Sequence, residues 1–177
     1  MKSSLLQTIF ALFFLMILES PAQAAPSNGN DFEVAFLRQA YLNSLWKLET
    51  GKIAARQTET TNVKSFAQLM VSHSSMLCDE LSLQLKRKGI NPPKEFDSTQ
   101  KDTLVYLSHQ RGAGIDREYM SMAGDDLAAD LSHYRKALPL LKDSDLKILA
   151  EKALKGLKED SILADRTLRS IPPPVLK

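Results

Sequence analysis

Residues 62–88 of this 177-residue chain read NVKSFAQLMVSHSSMLCDELSLQLKRK, and this stretch decides the fold class. Its apolar residues recur at intervals of three and four positions, which places them on one side of an α-helix. They are Phe66, Leu69, Met70, Leu77, Leu81 and Leu85. Gly89 follows and can adopt the left-handed conformation that commonly ends a helix. The stretch therefore predicts a long amphipathic helix that buries one face.

Helical spacing also governs the rest of the chain after residue 30. It predicts further helices over residues 31–58, 99–109, 115–138 and 143–170, with Asp31 as the N-cap of the first helix. We expect the apolar stripe of that helix at Ala35, Leu42, Leu45, Trp46 and Ile53. No segment shows the sustained period-2 alternation of a β-strand. The sequence therefore predicts an all-α four-helix bundle over residues 31–170, with an extra short helix in the middle connection. A proline-rich tail follows over residues 171–177.

The first 24 residues have the layout of a secretory signal peptide. Lys2 precedes an apolar run over residues 9–18, and the small residues near Ala24 form a cleavage box. The run is too short for a membrane-spanning helix, which needs about 20 residues. We therefore expect cleavage after Ala24, a flexible leader over residues 25–30 and no stable membrane insertion afterwards. A retained N-terminal anchor is the alternative. Cleavage predicts an exported protein of the periplasm, with outer-membrane association or secretion left open.

The composition excludes one class of partner and limits another. Lys and Arg number 23 and Asp and Glu number 21, and the basic residues form only one short cluster, at residues 86–88. Nucleic-acid binding therefore has no electrostatic footprint. Three basic residues are also too few for a stable hold on an anionic membrane. Cys78 is the only cysteine, so we expect it to be buried, and a disulfide-linked dimer is the alternative.

Three polar residues interrupt the predicted apolar stripes and are the candidate site residues. Glu49 falls in the stripe of the first helix, His73 in that of the second and Asp160 in that of the last. A buried carboxylate is costly unless it is paired or binds a metal, and these residue types are metal ligands. One interpretation is therefore a metal site at Glu49, His73 and Asp160. The other is a polar cluster in which His73 hydrogen-bonds to Glu49 or Asp160 and holds the helices in register.

Other polar residues carry weaker signals. His109 and His133 are expected at the surface, and Asp125, Asp126 and Asp130 read as a solvated acidic face of the fourth long segment. The chain contains no phosphate loop, dinucleotide fingerprint, zincin motif or paired cysteines. The sequence therefore predicts neither catalytic nor cofactor-binding residues.

Three segments resemble a known family. They are residues 36–40 together with 48–54, residues 63–73 and residues 115–120, and the phrase VKSFAQLMVSH is the most specific of them. These segments are similar to the secreted bacterial family catalogued as domain of unknown function 4142, which has a ferritin-like fold. The resemblance extends over residues 32–168 and implies a ferritin-like four-helix bundle.

The resemblance also bears on the candidate metal site. In that family, a Glu on the first helix and a His on each of three later helices face inward. Glu49 and His73 match the first two, whereas Leu127 and Asp160 stand where the other histidines are expected. Lys47 stands where the family has the first acidic residue of a Glu-x-Glu pair. Since leucine cannot bind a metal, the resemblance implies at most a single zinc or iron site at Glu49, His73 and Asp160.

These observations predict an exported helical bundle without enzymatic activity, acting as an envelope-associated binding or stress-related protein. Two alternatives stay open. One is a metal-binding or redox protein that uses Glu49, His73 and Asp160 with iron or zinc. The other is an interaction module for another exported protein in the envelope, and the oligomeric state is left open.

Overall fold

The computed structural model describes residues 29–171, and every regular element within them is helical. The elements are α1 (Gly29–Gln57), α2 (Thr61–Arg87), α3 (Ser98–His109), α4 (Ala113–Ala137), a short 3₁₀ helix (Leu138–Leu140) and α5 (Ser144–Ser170). This confirms the predicted all-α bundle with a short helix in its middle connection. The predicted signal peptide, residues 25–28 of the leader and residues 172–177 of the tail lie outside the described residues.

The four long helices form two pairs that enclose one core. α1 packs along α2, α4 packs along α5, and the pairs meet where α1 contacts α4 and α2 contacts α5. Between them lies a continuous apolar core, whose fully buried large side chains include Leu37, Phe66, Met70, Leu81, Tyr119, Leu127, Tyr134 and Leu146. Burying such a side chain contributes about 1.5–3 kcal/mol. Within residues 29–171, no helix combines the length and the apolarity that crossing a bilayer requires.

Capping residues and two glycines set the ends of the helices. Asp97 and Gln100 form a reciprocal capping box at the start of α3, with hydrogen bonds of 2.8 and 3.2 Å. The carboxylate of Asp143 accepts hydrogen bonds from the first amides of α5. Gly89 and Gly112 have φ values of 74° and 58°, a region that favours glycine. Gly89 therefore ends α2 as predicted, and Gly112 precedes α4.

The predicted stripe of α1 is right at Trp46 and Ile53, which are buried, but the buried face of the helix extends beyond it. Ala35 is exposed, whereas Ser44, Lys47 and Thr50 are buried beside the apolar residues of the core. The pattern of apolar residues was misleading because polar side chains occupy these buried positions. The face that α1 turns to the bundle therefore includes Lys47 rather than Glu49, whose side chain is 36 % exposed.

One prediction about a helix end is also wrong. Asp31 lies inside α1, which begins at Gly29, so it is not the N-cap. α4 ends at Ala137, and Pro139 lies in the following 3₁₀ turn. Since proline lacks an amide hydrogen and clashes with the preceding turn of an α-helix, the chain changes to the tighter turn there.

Candidate functional site

A buried ion pair joins α1 to α4 inside the bundle. The ammonium of Lys47 contacts Oδ2 of Asp130, and their side chains are only 6 % and 3 % exposed. The amide of Asn43 donates a 2.6 Å hydrogen bond to Oδ1 of Asp130. Both oxygens of Asp130 are therefore engaged by α1, which offsets the cost of burying the charge.

A second contact between α1 and α4 lies one turn away. The indole Nε1 of Trp46 donates a 2.8 Å hydrogen bond to Oδ2 of Asp126. Burial raises the pKa of Asp126 to about 6, although the indole hydrogen bond and the charge of Lys47 act in the opposite direction. Asp126 is thus a carboxyl group that changes charge close to neutral pH.

A third polar contact joins α2 to α5. Nδ1 of His73 lies 2.9 Å from Oδ1 of Asp160, with the carboxylate 9 % exposed and the imidazole 44 % exposed. Burial raises the pKa of Asp160, and the contact with His73 and the charge of Lys47 oppose that effect. Because an ionised carboxylate only accepts hydrogen bonds, Nδ1 carries the hydrogen and Nε2 is the ring nitrogen left for another contact.

The His73–Asp160 pair lies in a groove of about 310 Å³ between α2 and α5. Its apolar lining comes from Met76, Leu77, Ala153 and Leu157, and Lys47 also borders it. A 2.6 Å ion pair between Glu80 and Lys152 joins the two helices at its edge. The groove therefore combines an apolar surface with an imidazole that the bundle holds in one orientation.

The structure brings two of the three predicted metal ligands together. His73 and Asp160 form a hydrogen-bonded pair, whereas Glu49 forms a 2.8 Å ion pair with Lys52 on its own helix. Within residues 29–171, no group of three or more His, Cys, Asp or Glu side chains is placed to hold a metal ion. The hydrogen bond predicted from His73 to Glu49 or Asp160 thus goes to Asp160, and a metal site at the three residues stays a prediction.

The sequence did not single out Lys47, Asn43 or Trp46 as site residues. A signal was present, since Lys47 lies seven positions after the core residue Ala40 and seven before Ala54, which is two helical turns in each direction. This spacing places Lys47 on the same side of α1 as two core residues, although its residue type alone assigns it to solvent. The choice of Glu49 instead followed from the predicted stripe of α1.

The predicted solvated acidic face is wrong in part. Asp125 is exposed, but Asp126 and Asp130 hydrogen-bond across to α1, and Asp130 is buried. His109 is exposed, as predicted. His133 is only partly at the surface, because its ring stacks on Phe36 at 5.0 Å and its Nε2 is buried.

Two further predictions concern residues on the bundle's inner surface. Cys78 is buried as predicted, and burial raises the pKa of its thiol to about 11. A thiol with a raised pKa is a poor nucleophile and a poor metal ligand at neutral pH.

Leu127, which stands where the resemblance implies a histidine, is fully buried in the apolar core.

Comparisons with known proteins agree with this architecture. A family described as "Domain of unknown function (DUF4142)" matches residues 18–165. None of the curated proteins matches the chain at a significant level. Among solved structures, a DUF305 fragment from Deinococcus radiodurans is similar at a TM-score of 0.71 and 12 % identity, covering 82 % of this chain and 99 % of that one.

Two further structures share the fold. A DUF305 protein from Streptomyces coelicolor, named as a candidate secreted protein, has a TM-score of 0.68 and 12 % identity and covers 82 % of this chain and 93 % of its own. A two-domain protein from Anabaena variabilis contains DJ-1/ThiJ/PfpI-like and ferritin-like domains. It matches at a TM-score of 0.65 and 15 % identity, over 85 % of this chain and 42 % of its own. At these identities the likeness shows a shared fold.

Proposed function

This chain belongs to the DUF4142 family of domains of unknown function, and we propose that this member is an exported binding protein without enzymatic activity. The proposal of export rests on the signal-peptide layout of residues 1–24. The likeness to a Streptomyces protein named as a candidate secreted protein supports it. The periplasm is the compartment that such a signal reaches first.

The binding site of this proposal is the groove between α2 and α5. The observation that carries it is the position of His73, a half-exposed imidazole oriented by Asp160 above an apolar lining. Binding sites for small molecules combine apolar walls with a few oriented polar groups, in volumes of about 300–1,000 Å³. The groove, at about 310 Å³, accepts a small molecule or one side chain of a partner protein.

The absence of catalysis in the proposal rests on how the interior carboxylates are engaged. Asp130 is held by Lys47 and Asn43, and Asp126 accepts from Trp46. A metal-dependent oxidase needs such carboxylates as ligands, with open positions for substrate. Here both oxygens of Asp130 and Oδ2 of Asp126 already accept hydrogen bonds from α1, so the proposal assigns these carboxylates to holding the helices together.

Glycine 156 offers a direct test of the groove. Gly156 lines the groove, and a Cβ added to it meets no atom within 4 Å. We therefore expect Gly156→Phe to obstruct the groove without displacing the core. Gly124→Phe is a matched control on α4, where a Cβ also meets nothing. The probe is 1-anilinonaphthalene-8-sulfonate, which fluoresces when it enters an apolar site.

We expect Gly156→Phe to weaken binding of the probe about tenfold, equivalent to about 1.4 kcal/mol, and Gly124→Phe to bind like the parent. Equal binding by both variants would reject the groove. The proposal also expects peroxide and ferrous iron to be consumed at the rate of buffer alone. Turnover above that rate, lost in Glu49→Ala, would contradict the non-enzymatic function.

Metal binding is the second candidate function, and one contact favours it. A histidine that binds a metal commonly donates its other ring hydrogen to a carboxylate, and His73 makes this contact with Asp160. The test is metal content by mass spectrometry on protein from the exported fraction, beside His73→Ala. Stoichiometric zinc or iron in the parent, lost in the variant, would favour metal binding over the primary proposal.

A further inference from the structure

The interior of the bundle contains one basic side chain that faces acidic groups from two other helices. Lys47 is 6 % exposed, and its ammonium contacts Asp130 of α4 and lies 3.3 Å from the carbonyl oxygen of Asn43. A lysine is rarely buried to this degree unless its charge is paired. The position of Lys47 therefore has a specific electrostatic cause.

The field of Lys47 reaches further than its direct partner. Its positive charge favours the ionised forms of Asp126 on α4, Asp160 on α5 and Cys78 on α2. Interactions of this kind are strong only over short distances inside a protein. Lys47 thus contacts α4 and borders the groove that α2 and α5 form, so it lies among all four long helices.

Ferritin-like proteins with two metals bind their cations in the core of the bundle, using acids and histidines from the four helices. The donor set of this chain does not fit such a group. An ammonium already neutralises Asp130, and a second cation close to it would be repelled. Glu49, the carboxylate that α1 was expected to contribute, pairs instead with Lys52 on its own helix.

We infer that Lys47 is the resident cation of the bundle interior and that its charge, rather than a metal ion, links α1 to the carboxylate of Asp130 on α4. The fold is therefore metal-independent, and its interior ion pair is a structural element. This inference does not depend on the groove, and ligand binding there can fail while the role of Lys47 holds.

The first experiment removes the ammonium and keeps the volume of the side chain. Breaking a buried pair leaves an unpaired charge, so we expect Lys47→Met to lower Tm by about 10 °C or more. The matched control is Lys52→Met on the same helix, which removes the exposed charge that pairs with Glu49. An exposed ion pair contributes little to stability, so the Tm of Lys52→Met should stay close to that of the parent.

A double variant distinguishes the loss of the ion pair from a packing defect at position 47. Asp130→Asn in the Lys47→Met background removes the unpaired charge and retains an oxygen that can accept from Asn43. We expect Tm to recover in part, because the unpaired carboxylate is gone. A double variant no more stable than Lys47→Met, or a Lys47→Met protein as stable as the Lys52→Met control, would overturn the inference.

Metal dependence is measured separately, in His73→Ala protein, so that metal held by the groove histidine is not counted. We expect the same Tm after dialysis against EDTA and after addition of Zn²⁺ or Mn²⁺. A Tm that falls with EDTA and returns with metal would mean that a metal ion, and not Lys47, is the interior cation.

Discussion

The indole nitrogen of Trp46 on α1 donates a 2.8 Å hydrogen bond to the carboxylate of Asp126 on α4. The ring of Phe96, from the segment between α2 and α3, packs edge-on against the indole at 5.7 Å. Trp46 therefore ties α1 both to the opposite helix and to the middle connection. Trp46 is also the only tryptophan of the chain, so tryptophan fluorescence reports on this junction alone.

Tryptophan fluorescence should follow the ionisation of Asp126. Burial raises the pKa of Asp126 to about 6, so its charge beside the indole changes near that pH. We expect the emission of the folded protein to titrate with a midpoint near pH 6, and Asp126→Asn to abolish the transition. A transition of equal size in Asp126→Asn would assign it to another group.

Asp126 should also make stability depend on pH. Because its pKa is raised in the folded state, the proton is held more tightly there than in the unfolded chain. The free energy of unfolding then decreases as the pH rises from about 4 to about 6, by up to about 3 kcal/mol. The Asp126→Asn variant does not undergo this loss of stability. Urea unfolding at pH 7.5 should therefore show that the variant is more stable than the parent. The difference should shrink towards pH 4, and a difference that does not change with pH would contradict the assignment.

Glu33 should contribute stability with the opposite dependence on pH. Its carboxylate accepts hydrogen bonds of 2.8 Å from Lys88 and of 2.7 and 2.8 Å from the amides of Lys142 and Asp143. Burial would raise the pKa of Glu33, but these contacts outweigh it and hold the pKa below the usual value. The contribution is therefore present above the unfolded pKa, about 4.3, and is lost as the pH falls through the folded pKa.

We expect Glu33→Gln to lower the free energy of unfolding by about 1–3 kcal/mol at pH 7, since a buried network loses its charged acceptor. The difference from the parent should narrow in acid. Glu95→Gln is the control, because the side chain of Glu95 is 85 % exposed and its ion pair with Lys101 spans 3.5 Å. Urea unfolding at pH 7 and pH 4 checks both, and equal effects of the two variants would refute the role of Glu33.

Two helical glycines should respond in opposite ways to alanine. A Cβ on Gly51 would lie 3.2 Å from a methyl group of Val71 and 3.3 Å from the carbonyl oxygen of Ala67, so α1 and α2 would have to move apart. Overpacking costs about 1–3 kcal/mol, which exceeds the gain of about 1 kcal/mol in helix propensity.

Gly51→Ala should therefore destabilise the bundle. Gly124→Ala, which meets no neighbouring atom, should stabilise it by about 0.5–1 kcal/mol. Midpoints of urea unfolding measure both changes. A stabilised Gly51→Ala protein would show that α1 and α2 are less closely packed than the structure indicates.

The helices themselves could be predicted from the sequence because their cause is local. The spacing of apolar residues in α2, the proline in the 3₁₀ turn and Gly89 at the end of α2 act within a few residues. The bounds of α2, α3 and α5 accordingly lie within two residues of those expected. The same pattern predicted the inward position of Asp160, which is buried on α5.

The rotation of α1 could not be predicted in this way. Apolar and small residues lie on several sides of the helix, and the buried side includes Ser44, Lys47 and Thr50. A lysine is assigned to solvent by any hydrophobic pattern, because burying it unpaired is costly. Burial of Lys47 is favourable only because Asp130 pairs with its charge, and Asp130 lies 83 positions away in the sequence.

The sequence by itself determined the elements that depend on neighbouring residues, namely five helices, their ends and the all-α bundle that they form. The tertiary structure decided which polar residues share the interior. It brought Lys47 to Asp130, Trp46 to Asp126 and His73 to Asp160, and it left Glu49 paired with Lys52. The physical reason is that the cost of burying a charge depends on the groups opposite it, and helix packing places those groups.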